Sequence, residues 1–391
     1  MPEWRNWSGS VGCRPALVAG PTSETEVAEL VRAAGLAGQP VRVAASGHSF
    51  VPLCASDGLL LRLTGLHGVA AVDAAAGLAT VWAGSTIQQL GPLLRARGAA
   101  MANMGDIDRQ GIAGAVSTGT HGTGRRLGNI STQVEGLRLV TAEGDVVDCD
   151  LEHHAELFHC ARVAVGALGV LTQVRLRVLP AYRLHERTWE SSFDECLARL
   201  DEHIAATRHF EFFWRPRTDH CDMKALEPTE ALPASVVGRP GERIGWSDEI
   251  FPTERTVRFN EMEFAIPESA GPDCLREIRA LMRTRHPEVA WPIEYRTLAA
   301  DDIPLSPAHR RASVTISVHQ AAELPYAAFF ADCETVFRNH RGRPHWGKHH
   351  RHRAAELRAL YPEWERFAKV RRQVDPRGRF LSGYLAELLT G

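Results

Sequence analysis

Long apolar runs are missing from the 391-residue sequence, and so are other marks of membrane and nucleic-acid-binding proteins. No run reaches the roughly 18 apolar residues of a membrane-spanning helix. The start of the chain lacks the basic-then-apolar order of a secretory signal peptide. The formal net charge is -2, so no strongly basic surface is expected. We therefore expect a cytoplasmic protein with neither a membrane span nor a nucleic-acid partner.

The cysteines show no pairing pattern, since no C-x-x-C motif occurs. The eight cysteines are scattered along the chain, at Cys13, Cys54, Cys149, Cys160, Cys196, Cys221, Cys274 and Cys333. Such scatter fits reduced thiols in the cytosol better than a disulfide framework or a zinc site.

The common nucleotide-binding motifs are absent as well. No G-x-G-x-x-G joins a strand to a helix, as a nicotinamide-binding Rossmann domain requires, and no Walker loop occurs. The composition is that of an ordinary globular protein, with 44% hydrophobic and 24% charged residues. A chain of this length forms two or three domains. A nucleotide cofactor would have to be held by another fold.

The pattern of predicted elements changes near Pro180. Before it, short strands and helices alternate; after it come most of the phenylalanines and several longer strand-like runs. This contrast predicts an α+β fold with a first domain over residues 1–180 and a second over residues 181–341 that contains an antiparallel sheet. Residues 342–391 are too few to form a core alone, so this segment is expected to pack back on a domain.

A first candidate ligand site follows a predicted buried strand at Val41–Ala45. The next residues are Ser46-Gly47-His48-Ser49-Phe50. Small residues let the backbone approach a ligand closely, and free N–H groups in such a turn form an anion site suited to pyrophosphate. The alternative is a plain strand-to-loop turn with an incidental histidine.

A second candidate site is the segment from Gly111 to Gly124, which has five glycines in fourteen residues, mixed with Ser and Thr. This composition predicts neither a good helix nor a good strand, but it suits the surface of a large flat cofactor. A flexible linker is the alternative. The apolar residues Ile112, Ala113, Ala115 and Val116 argue against it, since linkers are solvated.

Taken together, the motifs resemble those of the vanillyl-alcohol oxidase superfamily, and within it the aldonolactone oxidoreductase and alditol oxidase branch. The resemblance covers nearly the whole chain. The matching segments are Ser46–Ser49, Asn103–Asp108, Ser117–Gly124, Glu294–Arg296, Ala300–Asp302, Ser317–Gln320, Arg343–Lys348, Asp375–Phe380 and Tyr384–Leu385. The resemblance implies a two-lobed PCMH-type FAD-binding domain, an α+β cap domain over the flavin ring, and a C-terminal segment that returns to the FAD domain.

The resemblance also implies where FAD is held. His48 is the expected attachment point of a covalent bond to the flavin. No cysteine lies between Cys54 and Cys149, which excludes a second, cysteinyl bond from the glycine-rich segment. The cofactor-binding residues implied are Ala45, Ser46, Gly47, His48, Ser49, Phe50, Gly111, Gly114, Ser117, Gly119, Thr120, His121, Gly122, Thr123 and Val170.

Four residues are the candidates for catalysis. Glu294 and Arg296 are two apart, so on a strand both side chains share one face; a surface ion pair is the alternative. The resemblance implies that this pair faces the flavin, with Arg296 as fixed positive charge and Glu294 as acceptor of substrate hydroxyls. It places Lys348 beside substrate and flavin. His319 is the candidate base, and a core histidine is the alternative.

The histidine-rich stretch from His345 to His352 suggests a metal site at first sight. Pro344 and Gly347 break a helix there, and no carboxylate or thiolate lies among the histidines, so we predict no metal. The stretch from His349 onward is predicted to be a solvated face.

The predicted function is oxidation of a CH–OH group of a sugar-derived, aldonolactone-like substrate by hydride transfer to FAD, with oxygen as acceptor and hydrogen peroxide as product. Alternatives are an alditol, cyclitol or secondary-metabolite sugar as substrate, or a dehydrogenase with another electron acceptor. Gly111 stands where alditol oxidases align a serine, which weakens the alditol alternative. Two other classes stay open, a non-catalytic flavin- or sugar-binding protein and a metal hydrolase.

Overall fold

The structure is a computed structural model that describes residues 2–391. No helix in this range combines the length and the apolarity needed to cross a membrane. Up to Pro180 the elements are β1 (Trp4–Arg5), β2 (Gly12–Cys13), β3 (Leu17–Ala19), α1 (Glu24–Leu36), β4 (Val41–Val43), β5 (Leu59–Leu61), β6 (Val69–Asp73), β7 (Leu78–Trp82), α2 (Ile87–Arg95), β8 (Ala99–Ala100), α3 (Ile112–Thr118), β9 (Val134–Val140), β10 (Val146–Cys149), α4 (Ala155–Ala161), β11 (Val170–Arg177) and β12 (Leu179–Pro180).

Two sheets divide this N-terminal part into two lobes. One lobe has a parallel sheet in the order β3-β5-β4, and the other has an antiparallel sheet in the order β10-β9-β11-β7-β6. Helix α1 begins directly after Ser23, whose hydroxyl caps the helix by accepting a hydrogen bond from the Glu26 backbone N–H at 3.2 Å. Its apolar face, with Val27 and Val31, is fully buried.

The elements from Arg183 to Pro344 form the cap around one large sheet. They are β13 (Arg183–Ser192), α5 (Phe193–Ala198), α6 (Leu200–Ala206), β14 (His209–Arg215), β15 (His220–Thr229), β16 (Glu242–Trp246), α7 (Ser247–Ile250), β17 (Phe259–Pro267), α8 (Gly271–Arg285), β18 (Ile293–Leu298), β19 (Ser313–Ala321), α9 (Ala327–Asn339) and β20 (Arg343–Pro344). The strand order is β16-β13-β15-β14-β18-β19-β17-β20, and every pair is antiparallel. The predicted α+β class and antiparallel cap sheet are confirmed.

The two faces of the cap sheet differ in chemistry, because side chains alternate along each strand. One face carries Phe212, Tyr295 and Ile316, which join the helices of the cap in a hydrophobic core. The other face is polar, and its residues on β18 and β19, with Glu261 and Glu263 of β17, are buried. Its strand pairing sets Glu211 opposite Arg296, Glu294 opposite Ser317, and Glu261 opposite His319.

The chain ends in three helices, α10 (Ala354–Leu360), α11 (Trp364–Val374) and α12 (Gly383–Thr390). Buried residues of these helices, among them Leu357, Phe367 and Leu385, belong to the same hydrophobic core as the N-terminal lobes. The cap has its own core. These two cores support the proposed division into 1–180, 181–341 and 342–391, although β20 extends the cap sheet to Pro344.

The glycine-rich segment departs from its prediction. We expected a poor helix, yet Ile112–Thr118 forms α3. Ile112, Ala115 and Val116 lie on one face of that helix and are buried in the core. Burial of an amphipathic face outweighs the low helix propensity of glycine, which is worth only about 1 kcal/mol per residue.

Candidate active site

One cavity, which we call the long cavity, opens between the N-terminal lobes and the segment that follows the cap sheet. Most of its wall comes from residues 41–54, 110–120, 165–171 and 345–348, and residues 62–64, 83–86 and Phe380 complete it. These parts meet because β4, α3 and β11 of the two lobes converge with the segment that leaves the cap sheet. The long cavity therefore lies where the N-terminal lobes, the cap and the returning tail come together.

Backbone forms much of this wall. Gly47 has φ +70°, and a Cβ there would lie 3.3 Å from both Asn6 and Trp4, so the turn requires glycine. A Cβ on Gly114 would meet nothing within 4 Å, so this glycine faces open space. The backbone N–H groups of residues 45–49 donate no hydrogen bond to any group in residues 2–391. A row of free donors in a glycine turn fits the diphosphate of FAD.

Nine of the predicted cofactor-binding residues line the long cavity. They are Ala45, Ser46, Gly47, His48, Ser49, Gly111, Gly114, Ser117 and Thr120. Phe50 does not line it; it packs against Phe259, with ring centroids 5.7 Å apart. Val170 is fully buried in β11, while its neighbours Gly169 and Leu171 line the wall.

The rest of the glycine-rich motif lies behind the wall or faces elsewhere. Gly119 ends α3 with φ +71°. Gly122 has no room for a side chain, since a Cβ would lie 2.3 Å from the Met104 carbonyl oxygen. Thr123 joins the lobes to the cap: its hydroxyl donates to the Phe210 carbonyl and accepts from the Thr297 N–H. These residues shape the motif without reaching the long cavity.

His48 lies in the cavity wall, with its ring centroid 5.2 Å from that of Trp7. Burial, together with the nearby charges of Lys348 and Arg109, lowers the pKa of His48 to about 4. The imidazole is therefore neutral near pH 7. A neutral ring nitrogen keeps a lone pair that can form a covalent bond.

A second, smaller space, which we call the inner pocket, lies against the polar face of the cap sheet. It shares Gln110, Thr120, His345 and Lys348 with the long cavity, so the two spaces adjoin. All four predicted catalytic residues line it: Glu294, Arg296, His319 and Lys348.

Arg296 is the centre of charge in the inner pocket. Its guanidinium contacts three carboxylates, with Nη2 at 2.5 Å from Glu294 Oε1, Nε at 2.8 Å from Glu211 Oε2 and Nη2 at 3.4 Å from Asp106 Oδ2. The side chain is buried, and these carboxylates raise its pKa well above the usual range. Lys224 contacts two of the same carboxylates from outside the pocket, Asp106 at 3.1 Å and Glu211 at 3.0 Å.

Glu294 has an unusual carboxyl group for a residue that touches an arginine. Burial raises its pKa to about 7, and the carboxylates of Glu211 and Asp106 add to the shift against the opposing effect of Arg296. Ser317 donates a hydrogen bond to Glu294 Oε2 at 3.2 Å. A carboxyl group that titrates near neutral pH suits proton transfer.

Lys348 and His319 both approach Glu261. Lys348 forms an ion pair with this carboxylate, and His319 Nε2 lies 3.6 Å from Glu261 Oε1. His319 donates from Nδ1 to the Pro292 carbonyl oxygen at 2.9 Å, which orients the ring. Its Nε2 lies 3.4 Å from the Ser317 hydroxyl, so His319 and Glu294 contact the same serine.

His121 faces the inner pocket rather than the long cavity. Its Nδ1 donates to the Gly122 carbonyl oxygen at 2.7 Å, and its Nε2 lies 2.8 Å from Glu263 Oε1. Burial opposes a charge on this ring, but the Glu263 carboxylate outweighs it and raises the pKa of His121. Together they form a buried ion pair.

Sequence reasoning missed several charged residues of this site. They are Asp106, Glu211, Lys224, Glu261 and Glu263. A signal existed for the last two, because Glu261 and Glu263 have the same two-residue spacing as Glu294 and Arg296 within an apolar strand. Such pairs on a buried strand indicate a polar face that packs against something other than solvent.

The histidine-rich stretch is only partly as predicted. Arg351 is exposed, but His352 is buried, with Nδ1 at 3.3 Å from Glu334 Oε1, so the prediction of a solvated face is wrong for this residue. Two groups with metal-ligand spacing lie instead in the inner pocket, Glu261 with Glu294 and His319, and Asp106 with Glu211 and Glu294. Arg296, Lys224 and Lys348 contact their carboxylates and supply positive charge there.

The segment Ala300–Asp302 lies outside both spaces. Asp301 accepts hydrogen bonds from Asn129 at 3.0 Å and from Ser306 at 2.5 Å, and Asp302 accepts one from Arg162 at 2.9 Å. The two aspartates thus bind the cap to the N-terminal lobes, and their role is structural.

Comparison with known proteins agrees with this site. The profile of the D-arabinono-1,4-lactone oxidase family matches residues 174–236 and 236–388, and that of the FAD binding domain matches residues 15–150. The chain belongs to the D-arabinono-1,4-lactone oxidase family. The resemblance read from the motifs is confirmed, and so is the assignment to the FAD-dependent oxidoreductases. The two other classes, a metal hydrolase and a non-catalytic binding protein, are thereby excluded.

Relatives in this family are similar over their full length. The L-gulono-1,4-lactone dehydrogenase of Mycobacterium tuberculosis is 37% identical, with 99% of each chain covered. The L-gulonolactone oxidase of Bos taurus is 30% identical over 99% of this chain and 98% of the relative. The alditol oxidase of a Streptomyces species is 30% identical over 99% of each.

The fold is also that of a solved structure. Cholesterol oxidase from B. sterolicum superposes with a TM-score of 0.87, covering 99% of this chain and 96% of that one, at 17% sequence identity. At this identity the likeness concerns the fold alone. It confirms the two-lobed PCMH-type domain with its cap.

Proposed function

We propose that the protein oxidises a CH–OH group of a sugar-derived aldonolactone. The observation that carries this proposal is the Glu294–Arg296 pair, buried in a pocket that adjoins a cavity fit for FAD. The names of the family's relatives, lactone dehydrogenases and oxidases and an alditol oxidase, support a polyhydroxylated substrate.

The charges of the inner pocket favour a neutral substrate. Its carboxylates already contact cations: Asp106 and Glu294 contact Arg296, Glu261 contacts Lys348, and Glu263 contacts His121. A charged ligand would disturb this balance in a buried site, where uncompensated charge is costly. A lactone or polyol adds only hydroxyl and carbonyl groups, which these side chains can bond.

Bound FAD supplies the hydride acceptor. In the proposed reaction Glu294, as a carboxylate, takes the proton of the substrate hydroxyl, and Ser317 holds one carboxylate oxygen in place. Arg296 provides fixed positive charge where negative charge develops, a preorganised electrostatic contribution. Lys348 contributes a second cation at the border of the two spaces. His319 is the other candidate for the base, through its Nε2.

We propose a covalent link between His48 and the flavin. Support comes from the position of the ring in the cavity wall and from the low pKa of His48, which leaves its nitrogen free to act as a nucleophile. A cytoplasmic location is also proposed, supported by eight cysteines that are all free thiols.

The lactone is favoured over an alditol by the environment of Gly111. A Cβ at this position would lie 2.6 Å from the Ala45 Cβ, so a serine hydroxyl cannot be placed there without a shift of the backbone. A cyclitol or secondary-metabolite sugar remains the alternative substrate. For the acceptor we propose oxygen, because the wall at Ala113 and Gly114 carries little side-chain bulk; a separate electron carrier is the alternative.

Anaerobic reduction of the bound flavin tests the substrate directly. The purified protein is mixed without oxygen with L-gulono-1,4-lactone, D-arabinono-1,4-lactone, xylitol or myo-inositol, and the loss of flavin absorbance is followed. We expect at least one lactone to reduce the flavin faster than xylitol does. The hydrolysed, anionic form of the same lactone is the matched control and is expected to be slow. Equal rates for the lactone and its anion would contradict the neutral-substrate proposal.

A further inference from the structure

Arg42 is a buried arginine in the wall of the long cavity, and it is only 3% exposed. Its guanidinium donates to four backbone carbonyl oxygens, those of Leu53 from Nε at 2.8 Å, Gly166 and Phe380 from Nη1 at 2.9 and 2.6 Å, and Val165 from Nη2 at 2.7 Å. All four of these residues line the same cavity. The side chain therefore sits directly beneath the cavity wall.

These contacts leave the positive charge of Arg42 unmatched. A guanidinium has five N–H donors, and the fifth, on Nη2, has no acceptor in residues 2–391. No carboxylate in this range forms an ion pair with Arg42. The ionisable neighbour is Cys54, and burial raises the pKa of its thiol, so it stays uncharged. Burial lowers the pKa of Arg42 to about 10, which still leaves it a cation at neutral pH.

A cation without a counter-ion is costly in a dry environment, and carbonyl dipoles compensate it only in part. The free backbone donors of residues 45–49 begin three positions after Arg42 and line the same space. The unpaired charge of Arg42 and the free N–H donors would both be stabilised by an anion, and the diphosphate of FAD is one. We infer that Arg42 is the fixed counter-charge of the FAD diphosphate. This inference rests on FAD binding and is independent of the substrate, the base and the bond to His48.

The competing explanation is that Arg42 only ties together the segments that carry its four carbonyl partners. The chain offers a matched control for this explanation. Arg343 is 7% exposed and also donates to backbone carbonyls, with Nε at 2.9 Å from the Leu360 oxygen and Nη1 at 2.8 Å from that of His309. It does not line the long cavity. Arg343 is thus a purely structural arginine of the same kind.

The test measures ligand binding, with His48→Ala as background so that flavins exchange freely. Dissociation constants for FAD and for riboflavin, which has the flavin ring but no phosphate, are measured by flavin fluorescence. Arg42→Met is expected to bind FAD about 10- to 100-fold more weakly, the range for losing a charged partner, with riboflavin binding unchanged. Arg42→Lys keeps the charge and is expected to bind FAD like the parent. Arg343→Met is expected to lower the unfolding temperature while both dissociation constants stay the same.

Equal losses of FAD and riboflavin affinity in Arg42→Met would overturn the inference, because a structural defect does not distinguish the two ligands. If Arg42→Met does not fold, Arg42→Lys decides between the two explanations. An FAD affinity near that of the parent supports the role of the positive charge. A loss of affinity for both FAD and riboflavin refutes that role. Substrate turnover does not enter these measurements. A lactone that fails to reduce the flavin would contradict the proposed function. An Arg42 variant that loses FAD and riboflavin affinity equally would contradict only the inference about Arg42, so the two failures can be told apart.

Discussion

The long cavity and the inner pocket adjoin, yet they are built from different materials. The walls of the cavity are backbone and small side chains from short contiguous segments, such as residues 45–49 and 111–118. The pocket is built from charged side chains on the cap strands β17, β18 and β19 and on the loops that carry Asp106, Arg255 and Lys348. Arg296 links Glu294, Glu211 and Asp106 in one network. A backbone wall acts by shape and by N–H donors at fixed positions. A charge network acts as a unit, so a change at one member alters the pKa of the others.

This difference predicts how the two regions respond to substitution. A change in the cavity wall has a local effect on cofactor attachment or access. A change in the pocket disturbs several coupled carboxylates, and it requires a control that separates catalysis from stability. The following predictions test that contrast, from the largest expected effect to the smallest.

His48→Ala is expected to abolish covalent attachment altogether, because His48 is the proposed point of attachment of the flavin. Wild-type protein should keep its yellow colour in the acid-precipitated pellet, and the variant should release all its FAD to the supernatant. His349→Gln is the control, since this ring stacks near Phe50 with centroids 6.0 Å apart and does not line the cavity. Complete release of FAD from the wild type would refute the covalent link.

More of the residues that line the long cavity than of those that line the inner pocket could be predicted from the sequence, and the reason is physical. The turn at Gly47 and the small residues around Gly114 are local features, so their spacing is visible in one stretch of chain. The partners of Arg296 are not visible in this way. Asp106 is 190 positions away, in the loop between β8 and α3, and Glu211 is 85 positions away and is set opposite Arg296 by strand pairing that no short motif encodes. The helix over Ile112–Thr118 was missed because tertiary burial decided it.

Arg296 is expected to matter for rate far more than Lys224, although both contact Asp106 and Glu211. Arg296→Ala would leave three buried carboxylates without their shared cation, so Arg296→Lys is the sharper variant. We expect it to retain FAD and to be reduced by substrate about 100- to 1000-fold more slowly, the usual cost of losing one preorganised donor. Anaerobic stopped-flow absorbance measures this step.

Lys224→Arg serves as the matched control, because Lys224 lies outside the inner pocket. It is expected to change the unfolding temperature and to leave flavin reduction near the wild-type rate. Near-normal reduction in Arg296→Lys, or an equal loss in both variants, would remove Arg296 from its proposed role.

The raised pKa of Glu294 predicts how the rate of substrate oxidation depends on pH. With a pKa of about 7, it is protonated below this pH and a carboxylate above it. In the proposed reaction the carboxylate is the form that accepts the substrate proton, so kcat/KM is expected to rise with pH, about tenfold per unit below pH 7, and to level off above it. Glu294→Gln should be slow and independent of pH over this range. His319→Gln should keep the rise; if it abolishes the rise and Glu294→Gln does not, His319 is the base.

The smallest effect is expected at Ala113, the residue past which we propose that oxygen reaches the flavin. Ala113 lines the long cavity in the first turn of α3, whereas Ile112 is fully buried and points into the core. Ala113→Val adds two carbon atoms to the open side and is expected to slow reoxidation of the reduced flavin by oxygen, by about two- to tenfold, as crowding of a small gap. Reduction by substrate should be spared.

Ile112→Val is the control, expected to change neither half-reaction. Stopped-flow mixing of reduced protein with oxygenated buffer gives the rate. If the wild type is reoxidised no faster than free reduced flavin, oxygen is not the acceptor, and the dehydrogenase alternative, which the 37% identical relative carries in its name, takes its place.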